Sequence, residues 1–200
     1  MSGPLCANIL ARELLAEELP NRWQHVQAVG ERTKLFADAH DRPTFDKLRA
    51  AGIVHDIGYA DQVRETGFHP IDGARHLRRL GFDEDIVSLV AHHTCAHIEA
   101  DLRGLQPALL QEFPLRPELP HDELLYCDLT TGPTGQVLTV EARLCDVKRR
   151  YGPDDLVHRF ITIAEDQLLA AAGRAEAKIG RTVDRGRDIS QDVRELLQTS

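Results

Sequence analysis

The stretch Ile53-Val54-His55-Asp56-Ile57-Gly58 decides the fold, because it places an imidazole and a carboxylate side by side among aliphatic residues. A segment that formed only a hydrophobic core would carry apolar side chains at these positions. Apolar residues recur at helical spacing before the pair, which predicts a helix that begins at Pro43 and ends near Gly58. On that helix both polar side chains can reach one cation. The pair alone fits a hydrogen-bonded core histidine equally well, so the other histidines decide its meaning.

More polar residues fall on the apolar faces or at the first turns of neighbouring predicted helices. Each of them, taken alone, also fits a core residue with a hydrogen-bond partner, a helix cap or a residue facing solvent. The predicted inward-facing set is His25, His55, Asp56, His69, His92, His93 and Asp128. Burying so many imidazoles and carboxylates is costly unless they share a partner, and a metal ion is such a partner.

The donor types of this set indicate the class of metal. Neutral imidazole and carboxylate suit divalent iron or manganese, with zinc or nickel as further choices, and the absence of cysteine excludes a sulfur-rich site. Five histidines and two aspartates exceed what one cation needs. The sequence therefore predicts a divalent transition metal, two ions per chain, bridged by Asp56.

The remaining chain predicts an all-α fold, because apolar residues recur at helical spacing and no strand-like alternation is present. We expect a single-domain helical bundle around the buried metal site. It divides into a packing helix over residues 1–20, a metal-binding domain over residues 21–151 and a helical extension over residues 152–200. Within these ranges, one helix runs from Leu5 until Pro20 ends it, and another covers Phe82 to Cys95.

Composition limits the partners and the compartment. The formal net charge is −8, which disfavours nucleic-acid binding because that rests on lysine and arginine. No apolar run approaches membrane-spanning length, and the first residues lack the basic stretch and apolar core of a secretory leader, so we expect none. The four cysteines are scattered, as in a protein with reduced thiols. We expect a cytoplasmic protein that binds a small phosphorylated metabolite or nucleotide and no membrane; the oligomeric state is left open.

The order His25, then His55-Asp56, then Asp128 resembles the HD-domain superfamily of metal-dependent phosphohydrolases, named for its His-Asp doublet. His55-Asp56-Ile57-Gly58 matches its H-D-I-G form, and His69-Pro70 and His92-His93 resemble its extra ligands. The resemblance implies that His25, His55, Asp56 and Asp128 hold a first metal and that His69, His92 and His93 hold a second. Cyclic-dinucleotide enzymes of that family carry other residues where Tyr59 and Thr94-Cys95 stand, so the chain is more similar to small stand-alone members that cleave nucleotides.

The resemblance implies hydrolysis of a phosphoester or phosphoanhydride by a metal-activated water. Asp56 is predicted to be catalytic, and His97 and Asp61 are candidates for moving the leaving-group proton. The predicted phosphate-binding residues are Arg75, Arg79, Arg143 and Lys148. Two other functions fit the same ligands, namely a di-iron oxygenase of the same fold and a non-catalytic module that senses a metal or nucleotide.

Overall fold

Helices make up the regular structure of this protein. The computed structural model describes the backbone of residues 3–198 and the side chains of residues 3–180. The α-helices are α1 (Pro4–Leu15), α2 (Pro20–Arg32), α3 (Arg42–Val54), α4 (His69–Arg79), α5 (Glu84–His92), α6 (Ala96–Leu102), α7 (Gln106–Glu112), α8 (His121–Leu129), α9 (Val140–Arg150) and α10 (Leu156–Gln198). Short 3₁₀ helices lie at Thr33–Phe36, Ile57–Tyr59 and His93–Cys95. In the described backbone, the sole strand-like pairing is an isolated bridge between Thr131 and Val137. The predicted all-α fold is confirmed.

The helix that leads to the His-Asp pair ends earlier than predicted. The Asp41 side chain caps the start of α3 by accepting a hydrogen bond from the Thr44 backbone N–H at 3.0 Å. The helix ends at Val54, and Asp56 has φ −103° and ψ 6°, outside helical geometry. His55 and Asp56 therefore lie at a bend, which lets two adjacent side chains face one site.

Gly58 allows the following 3₁₀ helix to pack against the start of α4. A Cβ atom at this position would lie 2.1 Å from the His69 carbonyl oxygen and 2.8 Å from the Gly73 nitrogen, both of which are backbone atoms. A side chain would push α4 away. Glycine in this motif thus fixes the distance between the His-Asp bend and His69.

The boundary between the first two helices differs from the predicted one. The helix α1 ends at Leu15, before the predicted end at Pro20, and Pro20 opens α2 instead of only ending the preceding run. Leu19 takes the capping position of α2. Proline suits the first turn of a helix, because its missing N–H has no partner there in any case.

The predicted helix from Phe82 to Cys95 is interrupted. The helix α5 ends at His92, and Thr94 and Cys95 have φ values of 50° and 57°, in the left-handed region. Left-handed conformations are strained for residues with a Cβ atom and are found at functional sites. The interruption turns His92 and His93 in different directions.

Helix α10 closes the bundle along α8 and α9. Ala175 is fully buried in the same core as α1 and α3, and Ile179 packs against that core. Further apolar residues of the predicted helical extension lie outside the residues whose side chains are described: Val183, Ile189, Val193, Leu196 and Leu197. In the described chain, none of the helices combines the length and hydropathy that crossing a bilayer requires.

Candidate metal centre

Four helical elements and the bend after α3 bring six of the predicted polar residues into one cluster. Two groups of potential metal-binding atoms, His25, His55 and Asp128, and His55, Asp56 and His93, each lie within 4.8 Å of one another. The sixth residue, His69, joins the cluster through its Nε2 atom, which lies 3.1 Å from His93 Nε2 and 3.4 Å from Asp56 Oδ1.

Asp56 and Asp128 lie between the imidazoles. His25 Nε2 lies 3.1 Å from Asp128 Oδ1, and His55 Nε2 lies 3.3 Å from Asp56 Oδ2 and 3.8 Å from Asp128 Oδ1. His93 Nε2 lies 3.9 Å from the second oxygen of Asp56, Oδ1. The two oxygens of Asp56 therefore face different histidines.

Backbone carbonyl groups fix the orientation of three of the rings. The Nδ1 atoms of His25, His55 and His93 donate to the carbonyl oxygens of Gly132 (3.1 Å), Gly52 (2.9 Å) and Val90 (2.6 Å). A carbonyl oxygen only accepts hydrogen bonds, so the proton of each neutral ring stays on Nδ1. The lone pair on each Nε2 atom then faces the cluster, as metal-binding histidines require.

The residues of the cluster fit a divalent metal. His55 Nε2 is buried and has no hydrogen-bond partner among the described residues. The Nε2 atoms of His69 and His93 also face each other at 3.1 Å. Buried nitrogen lone pairs without a donor are costly, and a cation satisfies several of them at once.

The electrostatics of the cluster favour bound positive charge. Burial raises the pKa of Asp56, but Arg22 and His55 outweigh burial and hold that pKa well below its ordinary value. Burial lowers the pKa of His55, but Asp56 and Asp128 outweigh that effect and raise it to about 9. The two carboxylates thus attract a proton to His55, and a divalent cation competes for the same place.

Two cluster neighbours were missed by the sequence analysis. Arg22 donates from Nη1 to Asp56 Oδ2 at 2.6 Å, and its guanidinium lies 4.1 Å from the centre of the Tyr59 ring. Tyr59 in turn stacks on His69, with ring centres 4.1 Å apart. The spacing in the sequence could have indicated Arg22, because it lies three residues before His25 and therefore on the same face of α2.

Three predicted residues lie away from the cluster. His92 Nε2 donates to the Phe113 carbonyl oxygen at 2.6 Å, on the other side of the interruption after α5. His97 and His92 line a second cavity, separate from the one that contains Asp56. The Asp61 side chain is 80% exposed and pairs with Arg64 at 3.1 Å. The structure therefore gives these residues no contact with the site that the sequence analysis expected them to join.

A cavity of about 240 Å³ opens onto the cluster and is lined by Asp56, His69, His93 and Asp128. Of the four predicted phosphate-binding residues, only Arg143 lines it. The other three are paired elsewhere: Arg75 with Glu112, Arg79 with Glu65, and Lys148 with Glu165.

The cavity also contains cations that the sequence analysis did not select. Arg103 pairs with Glu99 at 2.6 Å, and Arg150 pairs with Asp146 at 3.0 Å. Arg22 completes the basic lining. A cavity with carboxylates and imidazoles at its base and guanidinium groups along its wall can hold metal and anion together.

The comparison with known proteins agrees with this arrangement. Ribonuclease Y from Thermotoga petrophila is 42% identical over 48 residues, which cover 24% of this chain and 10% of that protein. Ribonuclease Y from Thermotoga maritima matches at 42% over 48 residues, 9% of its length, so this chain spans only about a tenth of these relatives. No solved structure matches the chain significantly. The HD domain model matches residues 22–147, so this chain belongs to the HD domain family, within a superfamily of metal-dependent phosphohydrolases.

Proposed function

We propose that this protein is a metal-dependent phosphohydrolase that cleaves a phosphoester or phosphoanhydride bond of a small nucleotide-like metabolite. The observation that carries the proposal is Arg143. Its Nε and Nη1 atoms are buried and have no hydrogen-bond partner within the described chain, and the residue lines the cavity that contains Asp56 and Asp128.

The nearest carboxylate does not neutralise Arg143. Asp146 Oδ2 lies 3.9 Å from Arg143 Nη1, but it also pairs with Arg150 at 3.0 Å. The other oxygen of Asp146 pairs with Arg149 at 3.1 Å. Three guanidinium groups therefore share one carboxylate, which leaves an excess of positive charge at the cavity wall. Phosphoryl oxygens are the groups that a planar guanidinium pairs with most strongly.

The chain's own residues prepare the site. Arg22 donates to Asp56 and keeps that carboxylate ionised, while Tyr59 stacks on His69 and holds its ring in place. Thr94 donates from Oγ1 to Asp128 Oδ2 at 2.6 Å, so each carboxylate has a donor that fixes its position. A divalent metal bound here would lower the pKa of a bound water and offset charge on the phosphoryl oxygens. Arg143 would hold a phosphoryl oxygen at the wall.

The proposal includes two divalent ions per chain, iron or manganese by preference, with zinc or nickel possible. Asp56 supports this number, because its Oδ2 faces His55 and its Oδ1 faces His69 and His93. The small cavity and the acidic chain support a small phosphorylated metabolite over nucleic acid as the partner. The four cysteines are free thiols, which supports a cytoplasmic location.

The test is a substrate screen with the metal-loaded full chain. We expect phosphate or nucleotide release from at least one class among nucleoside mono-, di- and triphosphates and dinucleoside polyphosphates. His55→Ala should abolish release, because His55 belongs to both groups of ligands. His76→Ala is the matched control, since His76 lies on α4 outside the cluster. Equal rates in wild type and His55→Ala, or no release from any class, would contradict the proposal.

Two further arms of the screen separate the alternatives. Short single-stranded RNA tests whether the activity named by the ribonuclease Y relatives extends to this chain. Oxygen consumption with iron, and its loss with manganese, would indicate the di-iron oxygenase. Binding of a nucleotide without turnover in any arm would indicate the sensor.

A further inference from the structure

A second cavity lies on the opposite side of the His93–Cys95 turn from the candidate metal centre. Its volume is about 790 Å³, compared with about 240 Å³ for the metal cavity, and Thr94 lines both. Helix α8 separates them as well, since Glu123 near its start lines the larger cavity and Asp128 at its end lines the metal cavity. We refer to the larger one as the outer cavity.

A buried carboxylate in the outer cavity has one oxygen without a partner. Glu123 is fully buried, and its Oε1 atom accepts from His40 Nε2 at 3.0 Å and from Lys178 Nζ at 2.5 Å. The second oxygen, Oε2, is buried and has no hydrogen-bond partner among the side chains described. An unsatisfied buried acceptor is costly, and more so when it is charged, so a ligand that donates a hydrogen bond would stabilise this group.

Two histidines add acceptors to the same cavity. His121 Nε2 donates to the Arg116 carbonyl oxygen at 3.0 Å, and His92 Nε2 donates to the Phe113 carbonyl oxygen at 2.6 Å. Each neutral ring then presents the lone pair of Nδ1, and His121 Nδ1 is buried without a partner in the part of the chain that is described. Burial lowers the pKa of His121 and keeps its ring neutral.

The basic side chains of the outer cavity form ion pairs with its carboxylates. Arg174 makes a two-pronged ion pair with Asp122, with both N–O distances 2.7 Å, and Lys178 pairs with Glu123. Among the described residues, metal-ligand clusters are confined to the candidate metal centre, so a metal does not account for the outer acceptors. The outer cavity is therefore organised for neither phosphate nor a metal.

The walls of the outer cavity are mostly apolar. Leu110, Leu115, Leu119 and Leu125 line it together with prolines 117 and 120. Apolar walls of this kind bury the flat faces of a ring, while a few fixed polar groups set its orientation. Apolar walls together with unpaired acceptors favour a flat ring that has N–H donors at its edge.

We propose that the outer cavity is a second ligand site, which binds an amino-substituted heteroaromatic ring through N–H donors to Glu123 and His121. The site is separate from the metal centre, and the proposal does not depend on phosphohydrolase activity.

The test is calorimetric titration of the metal-loaded full chain with adenine and with purine, which lacks the amino group. We expect adenine to bind and purine to bind about tenfold more weakly, because one charge-assisted hydrogen bond is lost. Inorganic phosphate at equal concentration should leave adenine binding unchanged. Adenine carries no phosphate, so its binding reports recognition of the ring alone. Repeating the titration with adenosine monophosphate shows whether the cavity accepts the base of a nucleotide as well as the free base.

Two variants keep the test decisive. Glu123→Gln removes the charged acceptor and should weaken adenine binding about tenfold. Ala170→Trp, at an exposed residue that lines the cavity, should abolish binding by filling the space without touching the core. Ala142→Trp, at an exposed residue of α9 outside the cavity, is the matched control and should bind adenine normally. No binding by wild type, or equal binding by wild type and Ala170→Trp, would overturn the proposal.

Discussion

The metal cavity and the outer cavity lie on the two sides of one short turn, yet their chemistry differs. The smaller cavity has two carboxylates whose charges are offset by Arg22 and buried imidazoles. It also has the Arg143 guanidinium, whose Nε and Nη1 atoms have no hydrogen-bond partner within the described chain. The larger cavity has paired cations and acceptors without donors. The first therefore suits a metal and an anion, and the second suits a neutral donor.

The difference is clearest in His92 and His93, which are adjacent in sequence. His93 Nε2 faces His69 and Asp56, whereas His92 belongs to the outer cavity. The end of α5 between them produces this separation. A histidine doublet in a sequence thus does not mean that both rings bind the same ion.

The largest effect is expected from Asp56→Asn. The amide keeps the shape of the side chain but removes the charge that faces His55, His69 and Arg22. We expect loss of bound metal and of phosphate release, measured by elemental analysis and by phosphate detection. Asp122→Asn makes the same change in the outer cavity, and this variant should keep the metal bound at the metal centre. If both variants retain the metal, the two cavities do not differ in the way described.

Replacing the two histidines on the two sides of the turn sharpens the comparison. His69→Ala should lower the metal content from about two ions per chain to about one, because its Nε2 atom faces His93 and Asp56. His92→Ala should leave the metal content at the wild-type value, since the His92 ring donates its hydrogen bond to the Phe113 carbonyl oxygen and not to the metal centre. Elemental analysis of protein purified without chelator gives both numbers. A loss of one ion in His92→Ala would restore that residue to the ligand set.

Arg143→Gln tests the anion-binding wall of the metal cavity. A lost hydrogen bond between a guanidinium and a phosphoryl oxygen is worth about 1.5–3 kcal/mol, so KM for the substrate found in the screen should rise roughly 10- to 150-fold. Metal content should stay constant. Arg149→Gln is the matched control, because Arg149 is 82% exposed on the same helix. An equal rise in KM for both variants would mean that Arg143 acts only through general charge.

The smallest effect is expected from Gly58→Ala, which acts on the geometry of one cavity only. The new methyl group would meet the backbone of His69 and Gly73, and overpacking of this kind costs about 1–3 kcal/mol of unfolding free energy. Displacement of α4 should also weaken the metal that His69 helps to bind. Gly152→Ala has open space around its Cβ atom and should be close to neutral. Urea denaturation of both variants measures the difference, and equal stability would show that α4 can shift freely.

Much of the fold could be predicted from the sequence. Helical spacing of apolar residues and the His-Asp doublet are local patterns, and they indicated the all-α fold and the family correctly. The bend at His55 and the interruption after His92 were missed, because both follow from packing between distant segments. Gly58 illustrates this, since its role depends on the backbone of His69 eleven positions later.

The sequence by itself determined which residue types were available for chemistry, because a buried imidazole or carboxylate needs a partner wherever the chain places it. Only the tertiary structure decided which of them meet. It brought Arg22 to Asp56 and turned His92 away from the cluster. It also left two nitrogens of Arg143 without a hydrogen-bond partner in the described chain, while Arg75, Arg79 and Lys148 pair closely with carboxylates. The physical reason is distance: hydrogen bonds and ion pairs act over a few ångströms, and that proximity is set by how helices pack rather than by their order in the chain.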